Sequence, residues 1–353
     1  MENYKISFDD LQKLAGQLLK QDYNVITASS DGKKFISIRN ENEFRLDASA
    51  KPTDISLKEF FMPKSESLFF YKKSKEEVEL IDITPNESKT VVIGAKPCDT
   101  AAVPVLSKVF NWDYKDEFFN KRVENTIIIG ISCGYKDQFC FCTSVGLSPD
   151  SEKGSDLFLT PLNDNFYILK TISEKGKKFL EEFSFLKKNK TEEMPEEKKT
   201  EHSNEVEFEY VNIKNWLDEN FSREYWDSIG ELCLGCAQCA YVCPTCHCFD
   251  IADESCGYSC GRRVKNWDSC QFGLFTKHAS GHNPRNDQSK RYRQRISHKF
   301  KYYKDRFDEI LCTGCGRCSR GCPVSINILE VLQGIQRISN EPALPAGRFR
   351  ELK

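Results

Sequence analysis

The chain has 353 residues, which is enough for two or three compact domains that each bury a core of their own. Its formal net charge is −2, so the composition gives no global signal for binding to nucleic acid or to membrane lipid. The N-terminus lacks the pattern of a secretory signal, and no apolar stretch approaches the ~20 residues that a membrane span requires. The sequence therefore predicts a soluble cytoplasmic protein with no membrane and no nucleic-acid partner.

Residues 1–186 are predicted to form an α/β domain. Ser7 is placed to cap a helix, and two short strands, NVITAS and KKFISIR, follow it. The apolar runs 91–95 and 126–132 predict buried strands, and the helical stretch from Asp99 to Phe110 separates them. A strand, a helix and a second strand in this order indicate a parallel βαβ unit. Two further strands and a helix over 174–187 complete the domain.

Residues 187–208 are charged and contain only scattered apolar residues, so we interpret them as a solvated linker. A surface loop within one domain is the alternative. The cysteine-rich remainder predicts a helical ferredoxin-like dicluster domain over 209–340 and a tail over 341–353. The expected fold class is α+β, with the α/β domain first and the dicluster domain second.

Cysteine is the most informative residue type in this chain. The chain has 17 cysteines, an odd number, and no export signal, which argues against a disulfide framework because the cytosol keeps thiols reduced. Thiolates in such number favour metal ligation, and they suit an anaerobic cell.

One cysteine motif occurs twice, with an equal displacement of 79 residues between all its members. It has the spacing C-x2-C-x2-C-x3-C-P, which is typical of bacterial ferredoxins with two [4Fe–4S] clusters. In such motifs the fourth cysteine ligates the other cluster. The first thiol set is therefore Cys233, Cys236, Cys239 and Cys322, and the second thiol set is Cys312, Cys315, Cys318 and Cys243. Zinc also binds paired C-x2-C units, but it gives no reason for a third cysteine at the same step.

The first half supplies four cysteines for a third cluster. Cys98 and Cys133 each follow a predicted parallel strand, and Cys140 and Cys142 come soon after. Because parallel strands end at one edge of a sheet, these residues can meet there. The third thiol set is therefore Cys98, Cys133, Cys140 and Cys142, and scattered buried cysteines are the alternative.

The segment between the two motifs carries further cysteines, namely Cys246, Cys248, Cys256, Cys260 and Cys270. Cys246, His247, Cys248 and Cys270 offer an extra metal or redox site, but we favour buried thiols packed around the clusters, since no four-ligand pattern closes. The basic stretch 291–307 suits docking to a partner subunit or offsetting the charge of the clusters. A plain solvated helix is the alternative.

These segments resemble a known family. Four segments of the second half resemble the iron–sulfur β subunits of soluble sulfhydrogenases and the iron–sulfur dicluster subunit of anaerobic sulfite reductase. They are CLGCAQCAYVCPTCHCFD, GRRVKNWDSCQFGLFTKHASGHNPR, RYRQRISHKF and CTGCGRCSRGCPVSINI. VVIGAKPCDTAAVPVL and CFCTSVG resemble their first-half motifs. The ending CPVSINILEVL is closer to the hydrogenase-type subunits. The resemblance implies a subunit between an NAD(P)H-oxidising flavoprotein and a catalytic subunit, and it supports metal binding by the third thiol set.

The function expected from these observations is electron relay. The chain has no dinucleotide or P-loop fingerprint and no convincing nucleophile–base set, so terminal chemistry is expected in a partner. Two alternatives stay open. The chain could itself reduce sulfur, polysulfide or sulfite at an exposed cluster or thiol, or it could be a zinc-stabilised interaction module, which the cysteine spacing disfavours.

Overall fold

The structure, a computed structural model, describes residues 2–85, 88–163, 165–191, 206–221 and 224–340. The predicted tail and most of the predicted linker lie outside these ranges. The strands in the described ranges are β1 Asn3–Ser7, β2 Asn24–Ala28, β3 Phe35–Ser37, β4 Ser65–Lys73, β5 Val78–Asp82, β6 Thr90–Ala95, β7 Thr126–Ile131, β8 Leu157–Pro161, β9 Phe166–Thr171, β10 Phe249–Ser255 and β11 Cys260–Trp267. The α-helices there are α1 Phe8–Lys20, α2 Lys58–Phe61, α3 Pro97–Thr100, α4 Ala102–Phe110, α5 Glu117–Asn125, α6 Glu174–Glu182, α7 Tyr210–Glu219, α8 Tyr225–Leu232, α9 Gln238–Tyr241, α10 Gln288–Ser297, α11 Tyr303–Phe307, α12 Arg317–Arg320 and α13 Ile328–Asn340.

The first half is built on a seven-stranded sheet with the order β1-β9-β8-β7-β6-β2-β3. Strands β2, β6, β7 and β8 run parallel, and β1, β9 and β3 pair antiparallel to their neighbours. The predicted parallel βαβ unit is confirmed, because β6 pairs parallel with β7 across helices α3, α4 and α5. Both strands are almost wholly buried, as apolar parallel strands with covered faces must be.

Helix α1 begins where the sequence predicts. The Ser7 hydroxyl accepts a hydrogen bond from the Asp10 amide, and the Asp10 side chain accepts one from the Ser7 amide. This capping box satisfies two amides that the first helical turn leaves without partners. Leu11, Leu14 and Leu18 then pack into the sheet core with no more than 1 % exposure.

A second sheet joins the two halves of the sequence. Its order is β10-β11-β4-β5, so the hairpin β4–β5 from the first half pairs with the hairpin β10–β11 that lies between the cysteine motifs. The structure is thus a mixed α/β protein in which the halves share a sheet. The exact division into domains stays a prediction.

Helices dominate the second half. Helices α7, α8, α10 and α13 enclose one apolar cluster, whose buried residues include Trp216, Trp226, Ile296 and Leu332. Phe208 lies in the same cluster with 1 % exposure, so the prediction of a solvated segment is wrong at this position.

The basic stretch 291–307 is helical, with a π-helical turn at His298–Tyr302 between α10 and α11. The alternative of a plain solvated helix is wrong, because Arg295 and Lys299 are each only 2 % exposed. Since these residues lie four apart, they point to the same side of the helical segment.

Candidate metal centre

The third thiol set converges at the carboxyl edge of β6 and β7. Cys98 lies in α3 directly after β6, and Cys133 follows β7. The four thiols line one cavity, together with Cys315 from the second motif. The sequence predicted the meeting of the four residues, but it gave no indication that Cys315 lines the same cavity.

The loop of the second motif packs directly on the segment that carries Cys140 and Cys142. The Phe141 amide donates a hydrogen bond of 2.9 Å to the Gly314 carbonyl. Gly314 has φ +63°, and a Cβ placed there would lie 2.4 Å from the Cys142 nitrogen. Both the backbone conformation and the close approach therefore require glycine at this position.

Two arginines from α12 reach the third thiol set. Arg317 is fully buried, pairs with Asp99 at 2.7 Å and places Nη1 3.9 Å from the Cys98 sulfur. Arg320 pairs with Asp137 and donates to the Cys140 sulfur at 3.2 Å. Burial would raise the pKa of Asp137, but the hydrogen bond and charge of Arg320 outweigh burial and lower that pKa to about 2.

Cys98, Cys140 and Cys142 favour the protonated form in the absence of a metal. Burial raises the pKa of Cys140 to about 12 and that of Cys142 to about 11. A bound metal would displace these protons, and the two arginines would then face anionic sulfur.

The first thiol set lines a second cavity. Three of its members come from the first motif, and the fourth, Cys322, comes from the second motif. Cys322 thus lies at the same cavity as the cysteines of the first motif, and crossed ligation of a cluster stays a prediction. Neutral donors serve two of these sulfurs, because Gln288 Nε2 lies 3.3 Å from Cys233 and the Ile326 amide lies 3.3 Å from Cys322.

The second thiol set lies between the other two. Burial raises the pKa of Cys318, and the neighbouring Cys243 and Cys315 raise it further, whereas Arg295 lowers it. Burial also raises the pKa of Cys312 to about 12, with Lys299 opposing and Cys243 adding to the increase. Within this set Cys315 lines the cavity of the third thiol set, and Cys318 lines the cavity of the first.

A smaller cavity is lined by Cys246, Cys248 and Cys270 together with His247 and His298. Arg295 donates to the Cys246 sulfur at 3.3 Å and to the Cys239 carbonyl at 2.9 Å, so it connects this cavity to the first thiol set. Packing of these three thiols beside the motif cysteines agrees with the interpretation that the sequence favours.

The interpretation as buried thiols packed around the clusters does not hold for Cys256 and Cys260. They lie at the exposed tip of the β10–β11 hairpin and are joined in a disulfide. The sequence argued against a disulfide framework, and this bridge is a local one that spans only four positions.

Among the residues that the structure describes, no three His, Cys, Asp or Glu side chains converge closely enough to hold a single metal ion. A cubane does not need that convergence, since each of its thiolate ligands binds a separate iron. Four thiols around a cavity are the donor set that a [4Fe–4S] cluster requires.

Buried cations are the part of the site that sequence reasoning did not assign to single residues. Five basic side chains lie near the thiols, namely Lys58, Arg295, Lys299, Arg317 and Arg320. Lys58 is buried beside Cys246 and Cys243. The sequence contains a signal for four of these side chains. Arg295 and Lys299 are spaced four apart in the basic stretch 291–307, and Arg317 and Arg320 lie within the second motif.

Comparisons with known proteins agree with this geometry. Residues 232–326 match the family model described as a 4Fe-4S dicluster domain, so the chain is an iron–sulfur protein with such a domain in its second half. It is also 30% identical over 322 residues to sulfhydrogenase 2 subunit beta of Pyrococcus furiosus, an alignment that covers 86% of this chain and 92% of that protein. The chain therefore belongs to the family of sulfhydrogenase β subunits, as its sequence motifs indicated.

No solved structure matches this chain. In the part of the chain that the structure describes, every helix is too short or too polar to cross a bilayer.

Proposed function

We propose that this chain is the iron–sulfur electron-transfer subunit of a multisubunit oxidoreductase complex. It passes electrons between an NAD(P)H-linked flavoprotein and a catalytic subunit of hydrogenase type. The observation that carries the proposal is the crossed cavity of the first thiol set, in which Cys322 completes a group of thiols from the other motif. The relative's name, which describes a subunit of a sulfhydrogenase, supports assembly with partners.

The three thiol sets hold one [4Fe–4S] cluster each. Two cavities support the third and first sets, because each is lined by the four thiols of its set and by one thiol of the second set. Each cluster supplies a store for one electron. The chain's own contribution is to hold the thiols, exclude water from them and place fixed charge beside them.

The second thiol set occupies the middle of the relay. Cys315 faces the third set and Cys318 faces the first, so the loop from Cys312 to Cys318 touches both neighbours. The order along the protein is therefore third, second, first. The exposed Cys236 puts the first set nearest to solvent at that end.

The domain arrangement follows the same division. The α/β domain over 1–186 carries the third thiol set, and a helical ferredoxin-like domain over 209–340 carries the other two. The need for reduced thiols supports a cytoplasmic location.

Metal and sulfide analysis of the anaerobically purified chain tests the cofactor assignment. Three clusters predict about twelve irons per chain, and two predict about eight. The Cys133→Ser variant should lose about four irons if the third thiol set binds a cluster. A count of about eight in both proteins would remove the third cluster and keep the other two.

Co-purification under anoxia tests the role as a relay. We expect a flavoprotein and a catalytic subunit to accompany the chain, and we expect the isolated chain to turn over no substrate. The second candidate function is reduction of sulfur, polysulfide or sulfite by the chain itself, and the cavity with Cys246, Cys248 and Cys270 favours it. Turnover of such a substrate by the isolated chain with an artificial electron donor would establish that alternative.

A further inference from the structure

Lys299 is a buried amine in direct contact with a thiol of the second set. It lies in the π-helical turn and is 2 % exposed. Its Nζ lies 3.3 Å from the Cys243 sulfur, 3.1 Å from Thr245 Oγ1 and 2.9 Å from the Leu311 carbonyl. Three acceptors match the three N–H groups of an ammonium, so the contacts define Lys299 as a cation.

The partner of this cation is sulfur. Among the ion pairs of the described residues, none joins Lys299 to a carboxylate, whereas Lys301, two positions along, pairs with Asp218 at 2.8 Å. The neighbouring basic side chains Arg295 and Lys58 supply no negative charge either. Burial of a positive charge is unfavourable unless an anion lies beside it. The Cys243 thiolate and the cluster that it would ligate are the anions within reach.

The backbone holds Lys299 in this position. The Leu311 amide donates to the Lys299 carbonyl at 3.0 Å, and the Thr245 hydroxyl donates to the Leu311 carbonyl at 2.9 Å. Lys299, Thr245 and Leu311 therefore form a closed network against Cys243. A charge fixed in this way does not need to reorganise when the charge on the sulfur side changes.

We propose that Lys299 is a positioning residue for a cluster at the second thiol set. Its charge makes the reduction potential of that cluster less negative and so stabilises an electron in the middle of the relay. The inference rests on the proposed function, since it assumes a cluster at this set. One-electron reduction there adds one unit of negative charge and takes up no proton. The fixed cation favours that state over the oxidised one.

The contrast with the first thiol set supports a selective effect. The sulfurs of Cys233 and Cys322 receive hydrogen bonds from an amide side chain and a backbone amide, and these donors are neutral. Lys299 contacts Cys243 of the second set, so a change of its charge should act mainly there.

A redox titration monitored by EPR, on the full chain under anoxia, tests the proposal. Lys299→Gln keeps a hydrogen-bond donor and removes the charge, Lys299→Arg keeps the charge, and Lys301→Gln is the matched control in the same turn. In K299Q we expect the midpoint of one cluster to move to a more negative potential while the others stay in place. In K299R and K301Q we expect wild-type midpoints.

Three results would overturn the inference. They are unchanged midpoints in K299Q, an equal shift of all midpoints, and loss of about four irons in K299Q and K299R alike, which would make the role structural. Failure of the proposed function would be recognised separately, because the wild-type chain would then show no reducible iron–sulfur signals at all.

Discussion

The ion pair between Arg317 and Asp99 illustrates how single residues support the thiols. Both side chains are essentially inaccessible, at 1% and 0% exposure, and Arg317 also lies beside Cys98. The arginine comes from the second motif and the aspartate follows β6, so this contact links two distant parts of the sequence. Each charge is stable in the interior only because the other is present.

We predict that Asp99→Asn destabilises the protein by about 3–5 kcal/mol, because it leaves the Arg317 charge without a partner in the interior. Asp54→Asn is the control. It breaks an ion pair with Lys51 in which both side chains are more than 40% exposed, and such pairs contribute about 1 kcal/mol or less. Denaturant unfolding under anoxia measures both. Equal losses in the two variants would contradict the prediction.

Two half-buried imidazoles predict a dependence of stability on pH. Burial lowers the pKa of His247 to about 4, with the Lys299 and Lys58 charges adding to the decrease and the Thr245 carbonyl and Cys243 opposing it. Burial also lowers the pKa of His298 to about 3, and His247, Lys299, Arg285 and Arg295 lower it further. In the unfolded chain both should titrate near pH ~6.5.

The sign follows from proton binding. Between the folded and unfolded pKa values the unfolded chain binds more protons, so stability should fall as the pH decreases from about 7 to about 5. We expect the midpoint of thermal unfolding to decrease over this range in the wild type and to decrease less in the H247N/H298N double variant. Parallel curves for the two proteins would show that these imidazoles do not control the slope.

At the level of secondary-structure elements, the sequence predicted the strands and helices better than it predicted how loops meet. The apolar runs of β6 and β7 and the cap at Ser7 are local signals, and the structure confirms them. The equal 79-residue offset groups Cys322 with the first motif, and its thiol lines the same cavity as theirs, but the offset did not indicate that Cys318 lines it too. The approach of the Cys312–Cys318 loop to Cys142 depends on two segments far apart in sequence, and no local periodicity encodes it.

Gly314 is the position where this loop contact can be tested. We predict that Gly314→Ala displaces the loop and lowers the iron content, because the new Cβ would meet backbone atoms of Phe141 and Cys142 at about 2.5 Å. Gly146→Ala is a matched control, since Gly146 also has a positive φ, of +79°, but no atom lies within 4 Å of its Cβ position.

Both substitutions carry the cost of a left-handed alanine, roughly 1–2 kcal/mol, so a difference between them isolates the loop contact. Iron and sulfide content per chain is the measurement. If G146A lost as much iron as G314A, backbone strain alone would explain the loss.

For the whole molecule, the main departure from the sequence-based prediction is the degree to which the halves are joined. Beyond the shared sheet, Trp267 Nε1 donates to the Met62 carbonyl at 2.9 Å and the Tyr303 hydroxyl donates to the Val105 carbonyl at 2.6 Å. Lys265 pairs with Glu66 at 2.8 Å, with both side chains 5% exposed. Strands β4 and β11 are distant in sequence and partly polar, so neither hydrophobic pattern nor turn length indicates their pairing.

This interface predicts that the two halves unfold as one cooperative unit. Local opening follows the elements that share buried contacts, so strands β6 and β7 and helix α13 should exchange their amide hydrogens with the same free energy of opening. Tyr225→Phe supplies the perturbation. It removes a hydrogen bond of 2.7 Å from the Tyr225 hydroxyl to the Val331 carbonyl, which lies entirely within the second half and is worth about 1 kcal/mol.

Hydrogen exchange read by mass spectrometry, at low denaturant and under anoxia, reports the strands and the helix as separate peptides. We expect Y225F to lower the free energy of opening by the same amount in β6, β7 and α13, although the lesion touches none of the first-half residues. A loss confined to α13 would mean that the shared sheet and the buried pair of Arg317 and Asp99 do not couple the halves. In that case each thiol set would depend for its stability on its own half alone.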